Sequence, residues 1–197
     1  MSSVRLSNRA RFLAGAVAAI LVVVVVVGFT AGNGSGNGSH RATAHRPLRI
    51  VVATLAKSFS SPALGVRGQA PQDWTAIRGQ GFVLLRNRDG TATISIQSPG
   101  KSTSASNLVA STLASIHTTY AKVTVEHGLR DATLGGLPAK SRTVYATNTH
   151  KVRIRILVAG ARGKRFNYLM EVFTALRAPV RDVVATQQIV LALHLGV

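Results

Sequence analysis

The run from Phe12 to Ala31 is twenty residues long and carries no charge. As an α-helix it spans about 30 Å, the thickness of a bilayer's hydrocarbon core. Its centre, Leu21 followed by six valines through Val27, is a poor helix former in water. In lipid the backbone has to satisfy its own hydrogen bonds, and a helix does so. Nothing polar marks a second face, which argues against a buried helix of a soluble domain. A cleaved signal peptide is the competing reading. Against it, the apolar stretch exceeds the usual length of about 7–15 residues. The nearest approach to an Ala-x-Ala cleavage site is Thr30-Ala31-Gly32. The expectation is an uncleaved single-pass anchor.

Flanking charge sets the expected orientation. Arg5, Arg9 and Arg11 crowd residues 1–11, whereas a Gly/Ser/Asn run follows the apolar segment until Arg41. The positive-inside rule then puts the N-terminus in the cytoplasm and the rest outside the cell. Residues 32–47 have no apolar pattern and are expected to form a flexible tether with an r.m.s. reach of about 20–24 Å. Its glycines resemble pieces of a nucleotide loop, but no strand or helix flanks them, so that reading is rejected. Asn33-Gly34-Ser35 and Asn37-Gly38-Ser39 match the glycosylation sequon, an accident of composition in so Gly-rich a stretch. Residues 48–197 form the expected globular domain.

The chain has 24 Lys+Arg against 6 Asp+Glu. Nineteen of the basic residues and all six acids lie from Leu48 onward, which gives that part a charge of +13. Such a domain is attracted to polyanions, and it is equally compatible with a solvated basic surface. With no cysteine, disulfides, thiolate metal sites and a cysteine nucleophile are excluded.

Arg49 to Thr54 reads as a short strand, and Lys57 to Gln72, rich in Ser, Gly and Pro, as a loop. Trp74 is the only tryptophan and is expected to plug the core. The arms Gly81–Asn87 and Thr91–Gln97 flank Asp89-Gly90, the strongest short hairpin signal. On the second arm Ala92, Ile94 and Ile96 should point inward and Thr93, Ser95 and Gln97 outward. Thr103 to Tyr120 reads as a helix, with Val109, Leu113, Ile116 and Tyr120 on one stripe and Ser102 or Ser104 as its cap. Strands follow at Lys122–Glu126 and Ala139–Thr147, with a break at Leu134–Pro138 between them. Asn148-Thr149-His150 turns the chain into the alternating Val152, Ile154, Ile156 and Val158. Phe166, Tyr168, Met170 and Val172 mark a last strand. Pro179 opens a helix expected to bury Val180, Val183, Val184, Val190 and Leu191 and to run to about Leu195. Hairpin connections predominate, so the expected class is α+β, a mainly antiparallel sheet flanked by helices.

Three local features carry a resemblance. Pro71-Gln72-Asp73-Trp74 approaches the first hairpin, Leu134-Gly135-Gly136-Leu137-Pro138-Ala139 enters a long one, and a Tyr168-bearing strand leads into a hydrophobic C-terminal helix. Over about residues 71–195 this pattern resembles the PsbP-like superfamily, which includes extrinsic photosystem proteins and the LpqN-type envelope proteins of actinobacteria. The resemblance implies an antiparallel sheet flanked by helices and a protein that binds others rather than catalyses. Such proteins are often lipoproteins or cleaved exports. This chain departs from them in lacking a lipobox cysteine and carrying a long apolar segment.

Catalytic and metal signatures are missing from the sequence. No two of His40, His45, His117, His127, His150 and His194 have helical metal-ligand spacing, and Glu126-His127 would point to opposite strand faces. There is no Gly-x-Ser-x-Gly elbow and no Walker loop. Asp89 and Asp131 suit turns and Asp182 the first turn of a helix, which leaves no carboxylate pair for acid–base work. No cofactor and no metal are expected, and the chain reads as non-enzymatic.

One constellation remains. Lys151, Arg153 and Arg155 are expected to share an outward strand face. A turn closed by Asn148-Thr149 would set Arg142 opposite Arg155, with Lys140 nearby. Arg162, Lys164 and Arg165 crowd the following turn. Together these eight are the candidate anion- or partner-binding face. The competing reading is a solvated face, or an edge guarded by charge against aggregation. Stacking of bases is not indicated, because Phe166 and Tyr168 belong to the core face. The sequence thus points to an extracytoplasmic, membrane-tethered adaptor domain for an anionic envelope polymer, lipid head group or protein. A cytoplasmic-side, membrane-tethered nucleic-acid binder is the alternative.

Overall fold

The computed structural model describes residues 53–100 and 103–196. The apolar segment, the tether and most of the Arg49–Thr54 strand expectation lie outside these residues. Ala53 and Thr54 are described and belong to no strand. Among the described residues no helix is long and apolar enough to cross a membrane.

Among the described residues eleven strands and two α-helices follow one another: β1 (Lys57–Ser61), β2 (Val66–Ala70), β3 (Thr75–Gly79), β4 (Phe82–Arg86), β5 (Ala92–Gln97), α1 (Ala105–Thr119), β6 (Ala121–Val125), β7 (Arg130–Leu134), β8 (Leu137–Thr147), β9 (Arg153–Arg162), β10 (Asn167–Ala175), α2 (Val180–Leu191) and β11 (His194–Leu195). A large sheet has the order β3-β4-β5-β10-β9-β8-β6, with β7 pairing β8 beyond the end of β6. A small sheet has the order β1-β2-β11. The described strand pairs are antiparallel, as the hairpin-rich sequence predicts.

Each face of the large sheet packs a different layer. On one face α1 lays Leu108, Val109, Leu113, Ile116 and Tyr120 against Val144, Ile154, Ile156, Val158 and Phe173. This is the stripe expected from the sequence. Ser104 caps the helix, its Oγ accepting from the Asn107 amide at 3.1 Å. Gly160 is where α1 crosses the sheet, because a Cβ there would stand 2.6 Å from the Ala105 carbonyl oxygen. On the other face α2 and the small sheet cover Val83, Ile94, Ile96, Ala159, Tyr168 and Met170, with Trp74 buried among them.

Four sequence expectations are corrected. Lys57–Gln72 is a hairpin closed by a 3-10 turn at Pro62–Leu64, with Phe59 and Val66 buried between polar neighbours. Thr93 and Gln97 are buried rather than outward, because β5 is an interior strand covered on both faces. Asp131 lies within β7 and pairs across strands with Lys140. The last helix stops at Leu191 and is rotated from the expected phase: Asp182, Ala185, Thr186 and Ile189 are buried, while Val180 and Leu191 are 68% and 85% exposed. Asp182 accepts from the Thr91 hydroxyl at 3.3 Å and lies 3.6 Å from Arg181 Nε. These contacts hold its side of the helix inward, and Val183, Val184 and Val190 are left half-buried, Val190 packing against the core.

The Gly135-Gly136 turn joins β7 to β8 with φ of 58° and 86°, a conformation glycine adopts without steric cost. A Cβ on Gly135 would also stand 2.9 Å from the Leu195 backbone nitrogen. The turn therefore needs glycine both for its shape and for the passage of β11.

A basic cleft beside the long hairpin

The β8–β9 hairpin positions most of the candidate cations. Its loop is five residues long, Asn148 to Val152, with Thr147 opposite Arg153. The Asn148 Oδ1 accepts from the amides of His150 (3.0 Å) and Val152 (2.9 Å), and Lys151 turns the chain at φ 59°. A two-residue turn at Asn148-Thr149 is therefore not formed. The pairing shifts by three residues, and an odd shift moves side chains to the opposite face.

The eight cations consequently divide among three places. Arg142 stands opposite Val158, not Arg155, and Lys140 stands opposite Gly160, both on the α1 side. Both are engaged there: Lys140 with Asp131, and Arg142 Nε with the His127 carbonyl at 3.0 Å. Arg153 and Arg155 lie on the other side, opposite Thr147 and Tyr145, with Lys151 of the hairpin loop beside Arg153. Arg162, Lys164 and Arg165 are exposed around the β9–β10 turn, with Arg165 5.2 Å above the Phe166 ring. Nine residues of strand separate Arg153 from Arg162, a distance of about 30 Å. The side chains do not form one continuous face.

What the structure does bring together is a cleft of about 820 Å³ at the β6–β8–β9 corner. Lys122, Lys151 and Arg153 line it with Thr124, Tyr145 and Thr147. No carboxylate lines it, and among the described residues none of its three cations has an ion-pair partner. Arg155 is one cross-strand pair further in, beside Tyr145. The reason for the opening is the edge strand. β6 pairs with β8 at Ala121↔Thr147 and Thr124↔Tyr145, so two residues of β6 oppose the single Ala146. This bulge holds Lys122 at φ 51°, a left-handed backbone that lysine seldom adopts. Two of the three cations thus sit at left-handed positions on either side of one opening. Lys122 was read from the sequence only as part of a regular strand, since nothing local marks a bulge there.

The remaining titratable groups are apart from the cleft. Glu171 is buried on the α1 side of β10, where the Gln97 amide donates to Oε2 at 3.1 Å and Oε1 has no partner among the described residues. Burial, offset in part by the Gln97 bond, pushes its carboxyl up to about 7. Tyr120 is buried with an unpartnered hydroxyl, and its pKa is raised by burial and by Glu171. Glu126 and His127, 3.9 Å apart, border a recess of about 30 Å³, the room of a single water molecule. Among the described residues no three His, Asp or Glu gather to hold a metal ion.

Comparison with solved structures places this architecture. No family model matches the chain, and no curated protein matches it in sequence. The solution structure of cyanobacterial PsbP (CyanoP) from Synechocystis sp. PCC 6803 matches with a TM-score of 0.53 at 13% identity, over 82% of this chain and 98% of that one. A crystal structure from Bacteroides thetaiotaomicron VPI-5482 matches with a TM-score of 0.51 at 12% identity, over 73% of this chain. This chain spans half the length of that protein. LpqN of Mycobacterium tuberculosis, described as involved in cell envelope biogenesis, aligns at 9% identity over 66% of this chain and 82% of its own, with a TM-score of 0.42. The domain has a PsbP-like fold, the resemblance read from its sequence.

Proposed function

We propose that this chain is a membrane-anchored, non-catalytic binding domain displayed outside the cell, and that its β6–β8–β9 cleft receives an anionic partner. The partner is an envelope polymer, a lipid head group or an acidic protein segment. The observation that carries the reading is the cleft itself: three cations, no carboxylate, and two lysines held at left-handed backbone positions. Like charges gathered in this way repel one another, and a bound anion relieves them. The non-catalytic part is supported by the dispersal of the six carboxylates, five of them in structural contacts or turns, and by the one-water size of the Glu126–His127 recess. The anchor and its orientation rest on the charge-free run Phe12–Ala31 behind three arginines.

Two measurements test this. In intact cells the C-terminal domain should be cleaved by added protease, and the chain should stay with membranes through alkaline carbonate. A protected domain would favour the cytoplasmic-side alternative. The full chain in phosphatidylcholine nanodiscs should bind polyphosphate at low salt, with affinity falling steeply as salt rises. Lys151→Glu/Arg153→Glu should weaken this binding about 10-fold more than Arg162→Glu/Lys164→Glu, because only the first pair lines the cleft. Equal losses would mean that net charge alone acts.

A further inference from the structure

A second basic pocket, absent from the sequence reading, lies at the other end of the molecule. It occupies about 480 Å³ where the small sheet meets the edge of the large one. The pairing explains its lining. Ser58 stands opposite Gln69, Ser60 opposite Arg67, and Arg67 opposite His194, so all five side chains leave the same face of the small sheet. The alternate residues Phe59, Val66 and Leu195 go into the core. The sixth member, Arg78, comes from β3 of the large sheet and crosses the seam, its Nε donating to the Ser60 carbonyl at 2.8 Å. That bond fixes the guanidinium over the pocket and leaves its terminal N–H groups free to turn toward a ligand.

We infer that this seam pocket binds a phosphoryl group through Arg67, Arg78 and His194, with Ser58 and Ser60 as supporting donors. Three positions argue for it. First, no carboxylate lines the pocket, and among the described residues Arg67 and His194 have no ion-pair partner. Second, the donors come from four strands (β1, β2, β3 and β11) and surround a concave space rather than spreading along one face. Third, two guanidinium groups, an imidazole and two hydroxyls exceed what the two oxygens of a carboxylate can accept. The three or four oxygens of a phosphate match that supply, and the planar fork of arginine suits them. The volume exceeds one phosphate, so an ester with a small organic body fits, either a free metabolite or a lipid head group.

The test uses the full chain in an uncharged alkyl-glycoside micelle and a phosphate-free buffer. Calorimetric titrations employ inorganic phosphate, glycerol 1-phosphate and the soluble short-chain lipid dihexanoyl-phosphatidylglycerol. Saturable binding of inorganic phosphate is expected, with Arg67→Gln weakening it at least about 10-fold, the loss of one charge-assisted hydrogen bond in a multi-donor site. Arg67 is exposed and among the described residues makes no side-chain hydrogen bond or ion pair, so this variant should keep the wild-type melting temperature. Arg153→Gln, in the distant cleft, should leave phosphate affinity within about twofold, because that arginine does not touch this pocket. Tighter binding of the phosphomonoester assigns a free metabolite, and tighter binding of the diester a lipid head group. Absence of saturable binding by all three probes overturns the inference, and so does equal weakening by Arg67→Gln and Arg153→Gln. Failure here leaves the β6–β8–β9 cleft untouched, since its own variants report on polyphosphate and not on this pocket.

Discussion

The two faces of the large sheet are closed to different degrees. On one, α1 covers β8, β9 and β10 and seals Ile154, Ile156, Val158 and even Glu171 from water. On the other, α2 and the small sheet cover β4, β5 and β10, while the corner formed by β6, β8 and β9 stays open around Tyr145, Thr147 and Arg153. The difference teaches where binding can occur on a sheet with two packed faces. The covered side is committed to stability, and the corner left uncovered is where charge collects without neutralisation. Adjacent residues of β9 sample both regimes, because alternate side chains point to opposite faces.

That contrast can be broken by three measurements. Ile156→Ala removes a side chain with 0% exposure and should lower unfolding free energy by about 4 kcal/mol in a denaturant titration. Arg153→Ala, three residues away on the open side, should change it by less than about 0.5 kcal/mol. Similar values for the two would abolish the asymmetry.

Glu171 sharpens the same comparison through pH. Its folded carboxyl, raised from 4.5 to about 7, binds a proton more tightly than the unfolded one. The stability associated with the neutral form is complete below the unfolded value and is lost as pH rises through about 7. Glu171→Gln should therefore raise stability at pH 8 by about 3 kcal/mol, little at pH 4, and flatten the profile between them. An unchanged profile would show that water reaches this carboxylate and that the α1 side is not sealed. The cap of α1 gives a smaller effect than Ile156 or Glu171. Ser104→Ala should cost about 1 kcal/mol by leaving the Asn107 amide unpaired, measured as a fall in melting temperature. No change would place the start of α1 elsewhere.

Much of the closed architecture was legible in the sequence, and the reasons are local. Asp89-Gly90 specified the β4–β5 turn, the Val109–Tyr120 stripe specified α1, and Gly135-Gly136 specified the break before β8. The misses depended on distant partners. The β1–β2 hairpin looks polar because its inner positions include Ser61, Gly68 and Ala70. Phe59 and Leu193 supply the volume, approaching to 2.7 Å and 3.2 Å of where a Gly68 Cβ would stand. The valines of α2 suggested one phase, and Asp182 with Thr91, ninety-one residues apart, imposed another. The candidate site suffered most. Its composition was visible, but a loop longer by three residues than the shortest turn reversed the face on which Arg142 sits. Lys122 and the seam pocket depend on a bulge and on sheet-to-sheet contact, which no local pattern encodes.

The two-residue strand β11 ties the far end of the described chain back to its beginning. Leu195 donates its amide to Gly135, and Gly196 donates to Gly65 and lies 3.1 Å from the Tyr168 hydroxyl, while His194 pairs with Arg67. Residues about 130 positions apart thereby close one sheet. Contacts of such separation pay the full entropy of loop closure before they return any energy, so they form late and slowly. The small sheet stays two-stranded until Leu195 has been synthesised and brought back beside Val66.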